Sequence, residues 1–170
     1  PAAFALVGLI VVLRAFVERR SAAMGWYLVL ASHFWIAMAI SLNEHFKVTH
    51  TILYLSGIFV SGIVGLICLQ RLKRMEQHVN LDRHQGHSYE HDGMALVFLL
   101  ASLGLTGFPI TPSFIGEDLV FSHIHSDQIA LAAFCALTLI IDGLAVVRIY
   151  TKIFMGTHLK SYHESAYRSS

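Results

Sequence analysis

The chain has 170 residues, of which 55% are hydrophobic and only 14% charged, and its formal net charge is +1. Soluble domains usually carry about 25% charged residues, and the near-neutral balance gives no basis for nucleic-acid binding. Cys68 and Cys135 both lie in apolar runs, which predicts neither a disulfide framework nor a cysteine metal motif. Since residue 1 is Pro and no basic signal segment precedes the first apolar run, we expect further sequence upstream.

Long apolar runs separated by short charged stretches indicate a membrane protein, in which each crossing helix takes about 20 residues. Five stretches reach or approach that length, at about residues 2–17, 22–42, 51–70, 93 to beyond 121, and 129–154. Glycine and proline interrupt the fourth stretch. The predicted fold class is therefore all-α membrane, with about five transmembrane helices, one of them discontinuous, over residues 1–156 and a polar C-terminal tail at 157–170.

The distribution of Lys and Arg predicts the orientation of these helices. If the fourth stretch crosses once, one side of the membrane receives nine basic residues and the other receives only Lys47. The nine are Arg19, Arg20, Arg71, Lys73, Arg74, Arg83, Lys152, Lys160 and Arg168. Because basic residues accumulate on the cytoplasmic side, we expect an outside N-terminus, a cytoplasmic loop at 71–92 and a cytoplasmic C-terminus, in the lipid bilayer of a bacterial inner membrane.

Small residues recur every four positions in the third stretch, at Gly57, Ser61 and Gly65, and therefore share one helix face. Small residues in such positions allow a neighbouring helix to approach closely. The pattern predicts helix packing and carries no information on transport.

The fourth stretch, LASLGLTGFPITPSFIGEDLVF, carries Gly104, Gly107, Pro109 and Pro112 within nine residues. Proline removes a main-chain donor and clashes with the preceding turn, and the residue before a proline is pushed away from helical angles. We expect the helix to break between Gly107 and Pro112. It should restart with Thr111 as the N-cap and Pro112 at the first helical position.

A break inside a bilayer exposes main-chain polar groups, which are tolerated only where protein or a water-filled cavity satisfies them. Discontinuous helices of this kind build ion sites in transporters, and a kinked helix with a purely structural role is the alternative. Glu117 and Asp118 favour the functional interpretation, because acidic residues at membrane depth are costly and usually functional. We expect the two to differ, since a helix turns about 100° per residue and points them in different directions.

This stretch resembles the discontinuous helix of the large antiporter-like subunits of NADH–quinone oxidoreductase and of Mrp-type cation/proton antiporters. Those subunits have a Gly/Pro-rich break followed by a pattern like G-F-x-G/S-K/E-x-x-L/I, which is similar to S-F-I-G-E-D-L at residues 113–119. Their closing pattern R-x-x-x-x-x-F-x-G is present at residues 148–156. The resemblance implies that Glu117 is a proton-conduction residue near mid-membrane. The lysine that the family carries within the preceding spans has no counterpart here.

The resemblance also implies the surroundings of the chain. A subunit of this kind holds no redox cofactor of its own, and chemistry elsewhere in the complex biases its protonation state. Its implied partners are other membrane subunits and, through the cytoplasmic face, a soluble module.

His33 and Asp142 are the other ionisable residues near the middle of predicted spans. Histidine titrates near physiological pH, so His33 is a candidate proton relay, with a hydrogen bond to a neighbouring helix as the equally weighted alternative. Arg148 follows Asp142 by six positions and does not share its helix face. Asp142 therefore needs a partner from another helix or a wet cavity, and we favour a role in proton conduction.

Histidines are also concentrated in the loop at 71–92, and histidine-rich loops can bind zinc. They are His78, His84, His87 and His91. Their spacing matches no compact metal motif, so we predict a solvated, somewhat flexible loop, with no metal site and no cofactor. His45 and His50 lie near the outer ends of spans, where we expect them to be interfacial.

The favoured function is proton translocation, with cation coupling as a variant, through hydrated half-channels in a membrane subunit of a respiratory complex. The alternatives are an antiporter-like subunit of an inorganic-carbon uptake system, a metal-ion transporter with the histidine-rich loop as its sensor, and a structural scaffold subunit. A metal-ion transporter should bring carboxylates and histidines together within the spans and bind zinc. A scaffold should tolerate the loss of charge at Glu117 and Asp142.

Overall fold

The computed structural model of this protein describes residues 1–44, 46–76 and 79–157. His45, His78 and the predicted tail beyond residue 157 lie outside the described residues. The described chain contains six α-helices: α1 (Ala2–Val17), α2 (Ala22–Ser41), α3 (Val48–Met75), α4 (Asp92–Leu105), α5 (Pro112–Phe121) and α6 (Ile129–Phe154). A 3₁₀ turn, His87–Tyr89, precedes α4. The prediction of an all-α protein is confirmed for the described residues.

Three of these helices, α2, α3 and α6, are long and apolar enough to cross a membrane, with 20, 28 and 26 residues. The helices α1 and α4 are apolar but shorter, with 16 and 14 residues. The bounds of α1 and α6 are those predicted, whereas α3 is longer than predicted at both ends. Its extension through residues 71–75 consists of Arg, Leu, Lys and Met, which all favour helix. The chain is an integral membrane protein by the length and composition of these helices.

At one end of the bundle, here called the basic end, α1, α3 and α6 finish and α2 and α4 begin. The guanidinium group of Arg148 donates to the main-chain carbonyls of Phe16 and Glu18 at 2.5 and 2.8 Å, and so joins the ends of α1 and α6. Terminal carbonyls of a helix lack intrahelical partners, and a cation satisfies them well. The basic residues predicted to share one side of the membrane lie at this end, except Lys160 and Arg168, which are outside the described residues.

At the opposite end, α2 and α5 finish and α3 and α6 begin. The side-chain amide of Asn43, after α2, donates to the main-chain carbonyl of His123 and to Oε1 of Gln128, each at 2.9 Å. The amide of Gln128 donates back to Oδ1 of Asn43, also at 2.9 Å. These contacts hold the end of α5 beside the end of α2, whereas α4 begins at the basic end.

The connection between α3 and α4 packs against the basic end, in contrast to the solvated loop that its composition predicted. Its main chain donates from Leu81 to the carbonyl of Arg19 at 2.8 Å and from Gln85 to the carbonyl of Lys152 at 2.9 Å. Leu81 and His87 are only 1% and 3% exposed. The polar composition predicted a solvated loop, and this prediction was wrong. Carbonyls at the ends of helices lack intrahelical partners, and main-chain amides of this connection donate hydrogen bonds to them.

Small residues on α3 allow neighbouring helices to approach closely, as their spacing predicted. A Cβ added at Gly57 would lie 2.6 Å from the main-chain nitrogen of Ser113 on α5, and one added at Gly65 would overlap the ring of Trp26 on α2. The indole nitrogen of Trp26 donates to the carbonyl of Gly62 at 3.0 Å, which satisfies a fully buried donor. α3 is therefore packed tightly between α2 and α5.

Candidate functional site

Residues 106–111 separate α4 from α5 and form the break expected from the glycine and proline pattern. Gly107 adopts a left-handed conformation with φ of 69°, which is unfavourable for residues that have a Cβ. Pro112 is the first residue of α5, and Thr111 precedes it in an extended conformation. Both positions are as predicted, because proline suits the first helical position and disfavours helix before it.

Local hydrogen bonds satisfy part of the main chain in the break, so fewer backbone groups are free than the sequence predicted. The amide of Thr111 donates to the carbonyl of Phe108 at 2.8 Å, across a turn in which Pro109 holds the second position. The hydroxyl of Thr111 donates to the same carbonyl at 2.6 Å and makes no capping bond to α5. The hydroxyl of Ser113 donates to the carbonyl of Gly104 and ties α5 to α4.

The side chain of Glu117 lies against the break, next to Gly107. A Cβ added at Gly107 would overlap Oε2 of Glu117, so the missing side chain of the glycine leaves room for the carboxylate. Glu117 is half-buried, whereas Asp118 is exposed. The two acidic residues therefore differ in environment, and Asp118 does not join the groups that surround Glu117.

His33, on α2, lies between polar side chains from two other helices. Its Nδ1 atom is 2.7 Å from the hydroxyl of Tyr54 on α3, and its Nε2 atom is 3.3 Å from Oδ2 of Asp142 on α6. All three side chains are almost fully buried. The partner that Asp142 required is thus His33 and not Arg148, which bonds to the end of α1.

Electrostatic interactions connect Glu117 to this group. Its carboxylate is attracted by a protonated His33 and repelled by the carboxylate of Asp142, and Tyr54 lies in the field of both acids. We call Glu117, His33, Tyr54 and Asp142, which come from α5, α2, α3 and α6, the polar cluster. The polar cluster thus combines two acidic side chains, an imidazole and a phenol, which are groups able to bind and release protons.

Oδ1 of Asp142 has no hydrogen-bond partner among the described residues, and Nε2 of His33 has only the 3.3 Å contact with Oδ2 of Asp142, which lacks hydrogen-bond geometry. An unsatisfied buried polar group costs about 1–3 kcal/mol, and more when it is charged. Such groups in a folded protein call for an explanation, and proton chemistry is one. These unsatisfied atoms make the polar cluster a candidate functional site.

Tyr54 was missed by sequence reasoning, because a tyrosine near the start of a span is expected at the membrane interface. Instead it is fully buried and bonded to His33. The burial of Tyr54 could have been predicted from its position three residues before Gly57, which puts it on the closely packed face of α3.

Metal-ligand geometry occurs elsewhere in the described part of the chain. Glu76, Glu90 and His91 have ligand atoms within 4.8 Å of one another, and Nε2 of His91 lies 3.4 Å from Oε1 of Glu76. Among the described residues, this group has its His, Asp or Glu ligand atoms close enough together to hold one metal ion. This group lies at the basic end. The ligand atoms of the polar cluster do not lie close enough together to hold one ion. Of the described histidines in the connection, His84 and His87 do not belong to this group.

No protein-family model matches the chain. The chain is 41% identical over 61 residues to NADH-ubiquinone oxidoreductase chain 4 of Dictyostelium citrinum and 39% identical over 61 residues to the protein of that name from Dictyostelium discoideum. These matches cover 36% of this chain but only 15% and 11% of the two relatives, so the chain matches a small part of their length. This partial and distant similarity fits the antiporter-like subunit family that the broken stretch resembles.

Proposed function

We propose that this protein is a proton-translocating membrane subunit of a complex of the NADH–quinone oxidoreductase type, with Glu117 as its exchangeable carboxyl group. The observation that carries the proposal is the polar cluster, in which four helices bring two carboxylates, an imidazole and a phenol together among apolar side chains. The similarity to proteins named NADH-ubiquinone oxidoreductase chain 4 supports the assignment to a respiratory complex. Its partners are then other membrane subunits and a soluble module.

In the proposed membrane arrangement, α4 and α5 together make one discontinuous span. The support is that α4 begins at the basic end while α5 ends beside α2 at the opposite end. With α1, α2, α3 and α6 as the other spans, the chain crosses five times. The basic end then faces the cytoplasm of a bacterium, because Lys and Arg accumulate on that side.

The polar cluster is suited to proton exchange because the charges of two acids and an imidazole act on one another. Binding of a proton at one of these groups therefore changes the proton affinity of the others, and a proton can pass among them. Glu117 takes it up or releases it, since this carboxylate is half-buried and lies against the break, whereas Asp142 is 1% exposed.

His33 connects the two acids to the phenol of Tyr54. A histidine that has a carboxylate 3.3 Å from one ring nitrogen and a hydroxyl bonded to the other can accept a proton on one side and release one on the other. Charges act strongly on one another in a low-dielectric interior, so a proton at Glu117 changes the field at the hydrogen bond between His33 and Tyr54.

The alternatives differ from this proposal in what they require. A metal-ion transporter requires ligands that converge within the spans, and the close ligand group of the described residues, Glu76, Glu90 and His91, lies outside them. A scaffold subunit does not require the unsatisfied atoms of the polar cluster. The polar cluster is compatible with both an inorganic-carbon uptake system and a respiratory complex, and the similarity to NADH-ubiquinone oxidoreductase chain 4 favours the respiratory complex.

The test is to compare Glu117→Gln with Asp118→Asn, its exposed neighbour, in the full-length protein with its partner subunits. We expect Glu117→Gln to lower proton translocation into reconstituted vesicles by about 100-fold or more, because it removes the exchangeable proton and keeps the shape. Asp118→Asn should have a much milder effect, and native gels should show both variants assembled. Normal translocation by Glu117→Gln would leave the scaffold alternative ahead.

A further inference from the structure

His50 and His123 form a second pair of ionisable side chains, at the opposite end of the bundle from the basic end. His50 lies in the first turn of α3, His123 follows α5, and Nδ1 of His50 is 3.0 Å from Nε2 of His123. Both side chains are half-buried. At this distance one nitrogen donates and the other accepts, so the two rings share one proton between them.

The pair is connected to the polar cluster along α3. On α3, His50 precedes Tyr54 by four residues, so the two share a face and are separated by roughly 6 Å of helical rise. On the intervening turn, the hydroxyl of Thr51 is buried and has no hydrogen-bond partner among the described residues. His123 follows the end of α5, so the pair lies at the same end of the bundle as the end of that helix. Polar groups therefore continue from Tyr54 toward this end of the bundle.

We propose that His50 and His123 form the port through which protons pass between the polar cluster and water at the opposite end of the bundle. This inference rests on the proposed function and adds the site at which protons are exchanged with water. A proton that arrives on Nε2 of His50 allows the proton on Nδ1 to cross to Nε2 of His123, which then releases its own proton from Nδ1 to water. One proton enters and one leaves, and each ring changes its tautomer.

The surroundings of His123 favour its neutral form. Burial is the main reason why the pKa of His123 lies below its ordinary value. A positive charge on His50, on Lys47 or on His125 acts in the same direction. The ring of Phe46 lies 5.8 Å from that of His123 and covers part of it. A neutral imidazole that charges only transiently passes a proton on without holding it.

The experiment measures proton translocation by His50→Gln and His123→Gln in the full-length protein with its partner subunits, reconstituted into vesicles. We expect each substitution to lower the rate by about tenfold or more, because glutamine keeps a polar side chain but cannot accept the proton. Added imidazole should restore much of the rate, which it would not do for a merely structural defect. His84→Gln, an exposed histidine at the basic end, serves as the control and should conduct normally.

Two outcomes would overturn the port: normal rates in the assembled His50 and His123 variants, or losses that imidazole does not restore. If one variant fails to assemble on native gels, the other decides. Glu117→Gln, measured in parallel, separates the two proposals. Loss of translocation in Glu117→Gln with normal rates in the histidine variants means that only the port is wrong. Normal translocation in Glu117→Gln means that the proposed function is wrong, and the port with it.

Discussion

The Nε2 atom of His33 lies 3.3 Å from Oδ2 of Asp142, and both side chains are only 1% exposed. The contact joins α2 to α6 among apolar side chains, where an isolated charge is costly. Each residue is therefore the main reason why the other is tolerated at that depth. The pair is weak evidence for stability, because desolvation of two charges offsets much of their attraction.

The first prediction concerns this pair. His33→Leu and Asp142→Leu should each destabilise the protein by about 3–5 kcal/mol, because each leaves a buried partner uncompensated. The double substitution should be less destabilising than the sum of the two, since it leaves no buried charge behind. Unfolding free energies in mixed micelles would measure the difference. Additive changes in unfolding free energy would show that the two side chains do not interact. Normal transport and assembly of Asp142→Leu would show that Asp142 is merely tolerated in the membrane.

The second prediction concerns Gly107, whose φ of 69° and contact with Glu117 both depend on the missing Cβ. Gly107→Ala should cost about 1–2 kcal/mol for the left-handed conformation. It should also displace the carboxylate of Glu117 and so lower proton translocation strongly. Gly143→Ala in α6 is the matched control, because a Cβ added there meets nothing within 4 Å. Equal translocation rates in the two vesicle preparations would mean that the position of the Glu117 carboxylate does not matter.

The sequence predicted the bounds of α1 and α6 and the interruption between α4 and α5. Proline chemistry acts locally, so the restart of helix at Pro112 followed from adjacent residues alone. The difference between Glu117 and Asp118 followed from helix geometry in the same way. These features depend on covalent structure and on neighbours within one turn, which the sequence contains directly.

The contacts of the polar cluster could not be predicted in this way. In a membrane, a helix is apolar on nearly all faces, so its hydrophobic pattern does not show which face meets a neighbour. The pairing of His33 with Asp142 and Tyr54 depends on how α2 packs against α3 and α6. That packing is set by shape, such as the close approach at Gly65 to the ring of Trp26, rather than by polarity.

The third prediction concerns pH and Glu18, at the end of α1. Its pKa is lowered mainly by the hydrogen bond from the main-chain amide of Arg20, at 2.9 Å, and then by Arg14, at 2.7 Å, while burial opposes them. A lowered pKa stabilises the fold above the unfolded value of 4.5, and the stabilisation is lost as the pH falls through the folded value. Glu18→Gln should therefore be less stable than the parent at neutral pH, and the gap should narrow in acid.

Thermal unfolding of the detergent-solubilised proteins at neutral pH and at about pH 3 would measure this gap. Glu44→Gln is the control, because Glu44 is exposed. A gap between the parent and Glu18→Gln that stays constant with pH would show that Glu18 acts through packing and not through its charge.

The last prediction concerns the orientation of the bundle, which the proposed function requires. Ser88 lies in the connection at the basic end but is half-buried and bonded to the carbonyl of Phe154 at 2.6 Å, so a cysteine there would react slowly. Asp82, in the same connection, is exposed, and so is Ser126 at the opposite end. The two native cysteines, Cys68 and Cys135, are 6% and 0% exposed and should give little background.

An impermeant thiol reagent should therefore label Asp82→Cys only from the cytoplasmic side and Ser126→Cys only from the outside, because basic residues are retained in the cytoplasm. Labelling of both from one side would show that the two ends of the bundle do not face opposite compartments, which excludes a proton path from one end to the other. Labelling of Asp82→Cys only from the outside and of Ser126→Cys only from the cytoplasm would mean that the membrane orientation is the inverse of the predicted one. The port of His50 and His123 would then face the cytoplasm. The polar cluster would be unchanged in that case, since its contacts depend on helix packing and not on which side each end faces.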